Sequence, residues 1–133
     1  MNQLINAALD SRWHTIQHGL NLSTPDNATG SPFSIAVVNN ADVVITTGGG
    51  TSITITRNAF VETLRYLVIN QHTDQSRCTI GSNKDINRAG PLCLVARNAN
   101  GVNIMIISYL LPVLAHMNLV ATDGGRPNTT WLV

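Results

Sequence analysis

Residues 107–133 read ISYLLPVLAHMNLVATDGGRPNTTWLV. Leu110, Leu111, Leu114, Met117 and Leu119 recur at helical spacing, which predicts an apolar helix. Ser108 is the expected N-cap, because its hydroxyl can accept an orphan N–H of the first turn. Pro112 then falls in the first turn or just beyond it, where its missing N–H costs little. Branched and aromatic residues at 120–122 and 129–133 flank Asp123, Gly124 and Gly125, the pattern of a β-hairpin.

A helix running into a terminal hairpin, with two more helical patterns before it, resembles the end of a winged helix-turn-helix domain. The resemblance covers residues 58–133. It implies that the hairpin is the wing and that the preceding helix enters a DNA major groove. Such a helix normally carries Arg, Lys, Asn or Gln to reach bases and phosphates. Residues 103–116 contain no Lys or Arg and are apolar nearly all round. A helix of that kind hides more than one side from water. The expectation is therefore a surface that meets protein, not DNA.

Upstream, Ile5, Leu9, Trp13, Ile16 and Leu20 form one stripe of an amphipathic helix over residues 2–18, with Gly19 as its stop. Residues 21–31 are rich in Asn, Ser, Thr, Pro and Gly and read as a loop. Three strands follow at 33–38, 43–47 and 52–56. They are joined by Asn39-Asn40-Ala41-Asp42 and Gly48-Gly49-Gly50, which predicts an antiparallel meander. Asn58 is the expected cap of a helix carrying Phe60, Val61, Leu64, Leu67 and Val68. Residues 70–80 read as loop or a short strand around Cys78. Ser82 and Asp85 suggest a capping box, and residues 91–99 a helix stopped by Gly101. The expected class is α+β: one domain over residues 1–133, a helix plus meander (1–57) and a winged-helix-like half (58–133).

Composition limits function further. Hydrophobic residues make up 44% and charged residues 11% of the 133-residue chain, against roughly 25% charged in average chains. Ionic groups cannot cover such a surface, which favours self-association through apolar patches. The net charge of +1 gives no global field to attract nucleic acid or an anionic membrane. No apolar run reaches the roughly 18 residues of a membrane span, and no signal-peptide pattern opens the chain. Cys78 and Cys93 lie in no paired motif, so two buried free thiols in a cytoplasmic protein are expected. Without secretion, the Asn-x-Ser/Thr triplets at Asn21, Asn27 and Asn128 are chance matches.

Four constellations bear on chemistry. Asp10, His14 and His18, four apart, would share a helix side and suit a transition metal, but lack a general base between the histidines. A solvated face is the simpler account, and no metal or other cofactor is expected. Gly48-Gly49-Gly50-Thr51-Ser52 lacks the lysine and following helix of a phosphate loop. Cys78 and His72 carry no nucleophile signature. Trp13, Tyr66, Tyr109 and Trp131 are not interleaved with basic residues as in a single-stranded nucleic-acid surface.

The sequence therefore predicts a non-enzymatic protein that associates with itself, most simply as a dimer, through Ile104, Ile106, Tyr109 and Leu110. A DNA-binding regulator is the alternative, with Arg126 at the wing tip entering a minor groove and Arg88 and Arg97 gripping phosphate. A small-ligand protein with a pocket between the meander and the helices is the third.

Overall fold

The computed structural model describes residues 1–133. The elements in chain order are α1 (Asn2–Arg12), a single 3-10 turn (Trp13–Thr15), β1 (Asn21–Ser23), β2 (Pro32–Val38), β3 (Asp42–Thr47), β4 (Ser52–Thr56), α2 (Arg57–Ile69), β5 (Cys78–Thr79), α3 (Pro91–Asn100), α4 (Ile107–His116), β6 (Val120–Asp123) and β7 (Thr129–Leu132). The class is α+β, as the sequence predicts.

Strands β1 to β4 form one antiparallel sheet in sequence order. The predicted meander is its last three strands, and β1 is an addition. Asn21–Ser23 lies in the stretch expected to be loop, but its backbone pairs with residues 32–34 of β2. Within β2 the register shifts between Ile35 and Val37. Such a bulge reverses the alternation of side chains. Phe33 and Ile35 point inward before it, and after it Val38 packs on the core while Val37 is exposed.

The second sheet has the order β5-β7-β6. The predicted terminal hairpin is present, and β5 extends it by pairing Cys78 with Thr130. Helices α2 and α4 pack on this sheet through β7 and β6, and α3 packs on α2, α4 and β4. Twenty-seven buried hydrophobic residues, drawn from both halves, form one core cluster.

Several local expectations change. The first helix ends at Arg12, not His18; a 3-10 turn follows, and Trp13 in it donates its indole N–H to the Asn39 carbonyl at 2.9 Å. Thr56, not Asn58, caps α2, its hydroxyl accepting the Ala59 N–H. Residues 82–88 make turns and no helix. Ser108 is not a cap either: α4 begins a residue earlier, at Ile107, and Pro112 lies inside it. By contrast α3 has the ends its sequence promises, Pro91 in its first turn and Gly101 in the left-handed conformation at φ +76°.

Two contacts tie these parts together. Asn100 is buried at the end of α3; its Oδ1 accepts the Thr56 N–H at 2.7 Å and its Nδ2 donates to the Thr54 carbonyl at 3.0 Å. It thus finishes the open side of β4. At the other end, the Asn27 N–H donates to the Gly124 carbonyl. A side chain at Gly124 would strike the Pro25 carbonyl and Asn27, so the loop before β2 lies directly against the β6–β7 turn. Asp26 organises that loop by accepting the Ala28 and Thr29 N–H groups, each at 2.8 Å.

Two outcomes follow from these contacts. Asn100→Ala strands two backbone groups and is expected to destabilise the chain by about 2–3 kcal/mol, read as a lower urea midpoint. The Thr29 and Ala28 N–H groups hold the Asp26 carboxyl below the usual range. A lowered native pKa contributes stability above the unfolded value of about 3.9, which is lost as pH falls from there toward the native value. Asp26→Asn should therefore melt below wild type at pH 7, with the difference closing under about pH 4.

Candidate interaction surface

The residues nominated from sequence separate into two groups. Ile106 and Leu110 are both 0% exposed and belong to the chain's own core. They are withdrawn as interface residues: α4 is apolar on every side because seven of its ten residues pack inside the molecule. Ile104 and Tyr109 do reach the surface and line the same groove. That groove, about 440 Å³, also includes Ile53, Met105, Asn103, Lys84 and the hydroxyl residues of the β3–β4 turn. It lies between the meander and the α3–α4 connection, where a small-ligand pocket was anticipated. Tyr109 is fixed edge-on against Phe33, with ring centroids 5.3 Å apart.

A second cleft of about 300 Å³ adjoins it through Asn103 and is lined by Ile86, Arg97, Asn98, Gly101 and Val102. Together the two depressions make one surface around the α3–α4 connection. Its exposed apolar side chains are Ile86, Val102 and Ile104, at 45%, 55% and 40%. Ile86 and Val102 had no periodicity to reveal them. Both sit in irregular segments, where neither a helical nor a strand pattern assigns a face.

The nominated cations fare differently from a phosphate grip. Arg97 is withdrawn, since it is 3% exposed and its Nη2 donates to the Asn83 and Lys84 carbonyls. Arg88 is exposed beside Asp85 at 3.8 Å, and Arg126 beside Asp26 at 3.4 Å. Arg57 pairs with Asp10, Arg65 with Glu62, and Arg77 with both Asp74 and Asp123. Among the exposed cations, only Arg12 and Lys84 have no carboxylate partner.

The fold separates the members of the remaining constellations. Asp10 is committed to Arg57 at 2.6 Å, and the 3-10 turn takes His14 and His18 off any common helix. His14, His18 and His116 do line one cleft, but His116 Nε2 lies 2.9 Å from the Thr15 carbonyl and donates to it. No group of three or more ligating side chains could hold a metal ion. His72 lies with Nδ1 at 2.8 Å from the Ser76 carbonyl and its ring stacked on Tyr66, so it serves no thiol. No helix is long and apolar enough to cross a membrane.

Cys78 and Cys93 are free and buried, and burial pushes the Cys78 thiol up. Since the thiolate is the reactive form, iodoacetamide at pH 8 should label neither in the native protein and both in urea, as read by mass spectrometry.

No protein family, curated protein or solved structure matches this chain.

Proposed function

We propose that this chain is a non-enzymatic protein that associates with a second copy of itself across the α3–α4 connection. The carrying observation is the exposed apolar group of Ile86, Val102 and Ile104, continuous with the groove of Ile53, Met105 and Tyr109. Apolar side chains gathered on one surface gain about 25 cal/mol for each Å² they hide, and low charge leaves little to keep two copies apart. Two free cysteines suit a reducing, cytoplasmic setting for such a protein.

The association is reversible, not obligate. A folded monomer of this mass is expected to expose about 6,800 Å², and the chain exposes 6821 Å². Each copy is therefore a finished unit before it meets another.

The element order over the second half is α2, β5, α3, α4 and a hairpin whose second strand joins β5, and a winged helix remains a resemblance of pattern. The regulator reading that goes with it has little support. The helix before the hairpin is enclosed, and Arg88 and Arg126 are both neutralised. A small ligand in the 440 Å³ groove is the competing use of the same surface.

Light scattering after size exclusion, over micromolar to submillimolar loading, tests the proposal. Wild type is expected to rise from monomer toward dimer mass. The doubly substituted Val102→Asp/Ile104→Asp chain should stay monomeric with an unchanged circular dichroism spectrum. Wild type monomeric throughout, or a double variant that still pairs, would overturn it.

A further inference from the structure

The first turn of α4 is buried and uncapped. Ser108 in that turn is 8% exposed, and no side chain caps the helix. The N–H groups of Ile107 and Ser108 donate to no acceptor in the chain. Helix ends settle such donors on a cap, on water or on a ligand. The aligned peptide units also leave about half a positive charge at this end. The Ser108 hydroxyl, too, has no hydrogen-bond partner. It is not sealed in the core. The enclosed side-chain atoms without a partner belong to Thr63, Arg97 and Asn128, whereas Ser108 borders an open cleft of about 390 Å³.

Polar groups from separate segments wall that cleft. Thr24, Asp26 and Thr29 come from the loop before β2, Ser82 from the stretch after β5, and Arg126 from the β6–β7 turn. None of them lines the surface assigned above to self-association. The Arg126 side chain is 68% exposed and meets Asp26 through one nitrogen, at 3.4 Å, so its other donors stay open. Asp26 keeps its charge, because the Thr29 and Ala28 N–H groups hold its carboxyl below the usual range. The wall thus carries two sources of positive potential, Arg126 and the end of α4, against one fixed negative charge. That balance accepts a ligand with a single negative charge. A phosphate group, closer to two charges at neutral pH, meets repulsion from Asp26.

We infer that this cleft binds a small carboxylate whose body carries hydroxyl groups. The Ser108 hydroxyl donates to the carboxylate at the N-terminus of α4, where the helix field favours an anion. Arg126 approaches the same group from the turn. Thr24, Thr29 and Ser82 supply hydroxyls for the rest of the molecule, and a cleft of this volume lies within the range of small-ligand sites.

Nitrogen-15 NMR titration of the full chain at pH 7 with glycerate, acetate, inorganic phosphate and glycerol tests this. Glycerate should shift the Ile107 and Ser108 amide signals saturably. Acetate and phosphate should act on the same signals with weaker affinity, and glycerol should leave them in place. Arg126→Gln, a change at an exposed side chain, and Ser108→Ala, which removes only a hydroxyl, should each raise the Kd for glycerate by about tenfold. Arg126→Gln keeps the test open should Ser108→Ala fail to fold. Amide signals that ignore glycerate, or an unchanged Kd in Arg126→Gln, would overturn the site. Phosphate binding as tightly as glycerate would overturn the choice of a carboxylate, and glycerol binding as tightly would overturn the need for charge.

Discussion

The structure depends on enclosing α4. A ten-residue helix without a lysine, arginine, aspartate or glutamate has no face that water prefers. The chain covers most of it, leaving Tyr109 half-buried and His116 exposed. The β6–β7 hairpin continues directly from the helix, α3 packs across it, β1 lies alongside, and Phe33 meets Tyr109. Even the end of the first helical segment takes part, since the Thr15 carbonyl accepts from His116. This is why the N-terminal sheet and the C-terminal half share one core: neither could shield Ile107, Leu110, Leu111 and Leu114 alone.

Once α4 is consumed as core, the connection that leads into it becomes the exposed feature. Gly101 reverses the chain in a conformation that L side chains rarely adopt, and Ile106 and Ile107 dive into the interior. Between them, Val102, Asn103 and Ile104 are exposed, and Met105 is half-buried against the core. Charge follows a complementary rule. With so few ionic groups, most arginines settle beside an acid, and the potential that a nucleic acid would seek is spent locally. What distinguishes one surface from another is therefore apolar exposure, together with the one buried cation left without an acid.

Much of the architecture was legible because it is written in local chemistry. Pro91 and Gly101 bracket α3, Gly48-Gly49-Gly50 turns β3 into β4, and Asp123-Gly124-Gly125 opens the last hairpin. What escaped was decided by distant partners. The pairing of Asn21–Ser23 with β2 is a backbone contact that an Asn- and Ser-rich stretch does not announce. The place of Trp13 is set by the Asn39 carbonyl, twenty-six residues away, which accepts its indole N–H. The surface was half legible for a related reason. In a segment apolar all round, periodicity cannot tell the inward face from the outward one, so Ile104 and Tyr109 were chosen together with Ile106 and Leu110. Sequence gives the charge of Arg97 but not its depth, so it suggests a phosphate grip where the fold has a buried side chain.

The α3–α4 connection is also held in advance of any contact. Asn100 fixes the end of α3 to β4 with two hydrogen bonds, and Arg97 draws residues 83 and 84 against the same helix. Gly81 and Gly90 approach so closely that a Cβ on the first would meet the second's Cα at 2.8 Å, which pinches the loop carrying Asp85 and Ile86 at its neck. Binding loses less entropy when its surface is already ordered. A patch with only a few exposed apolar side chains has little affinity to spare, so in the proposed dimer this ordering would favour pairing. Under the proposed self-association, loosening the support at Asn100 would weaken pairing, because the cost of arranging the connection would move from folding to binding.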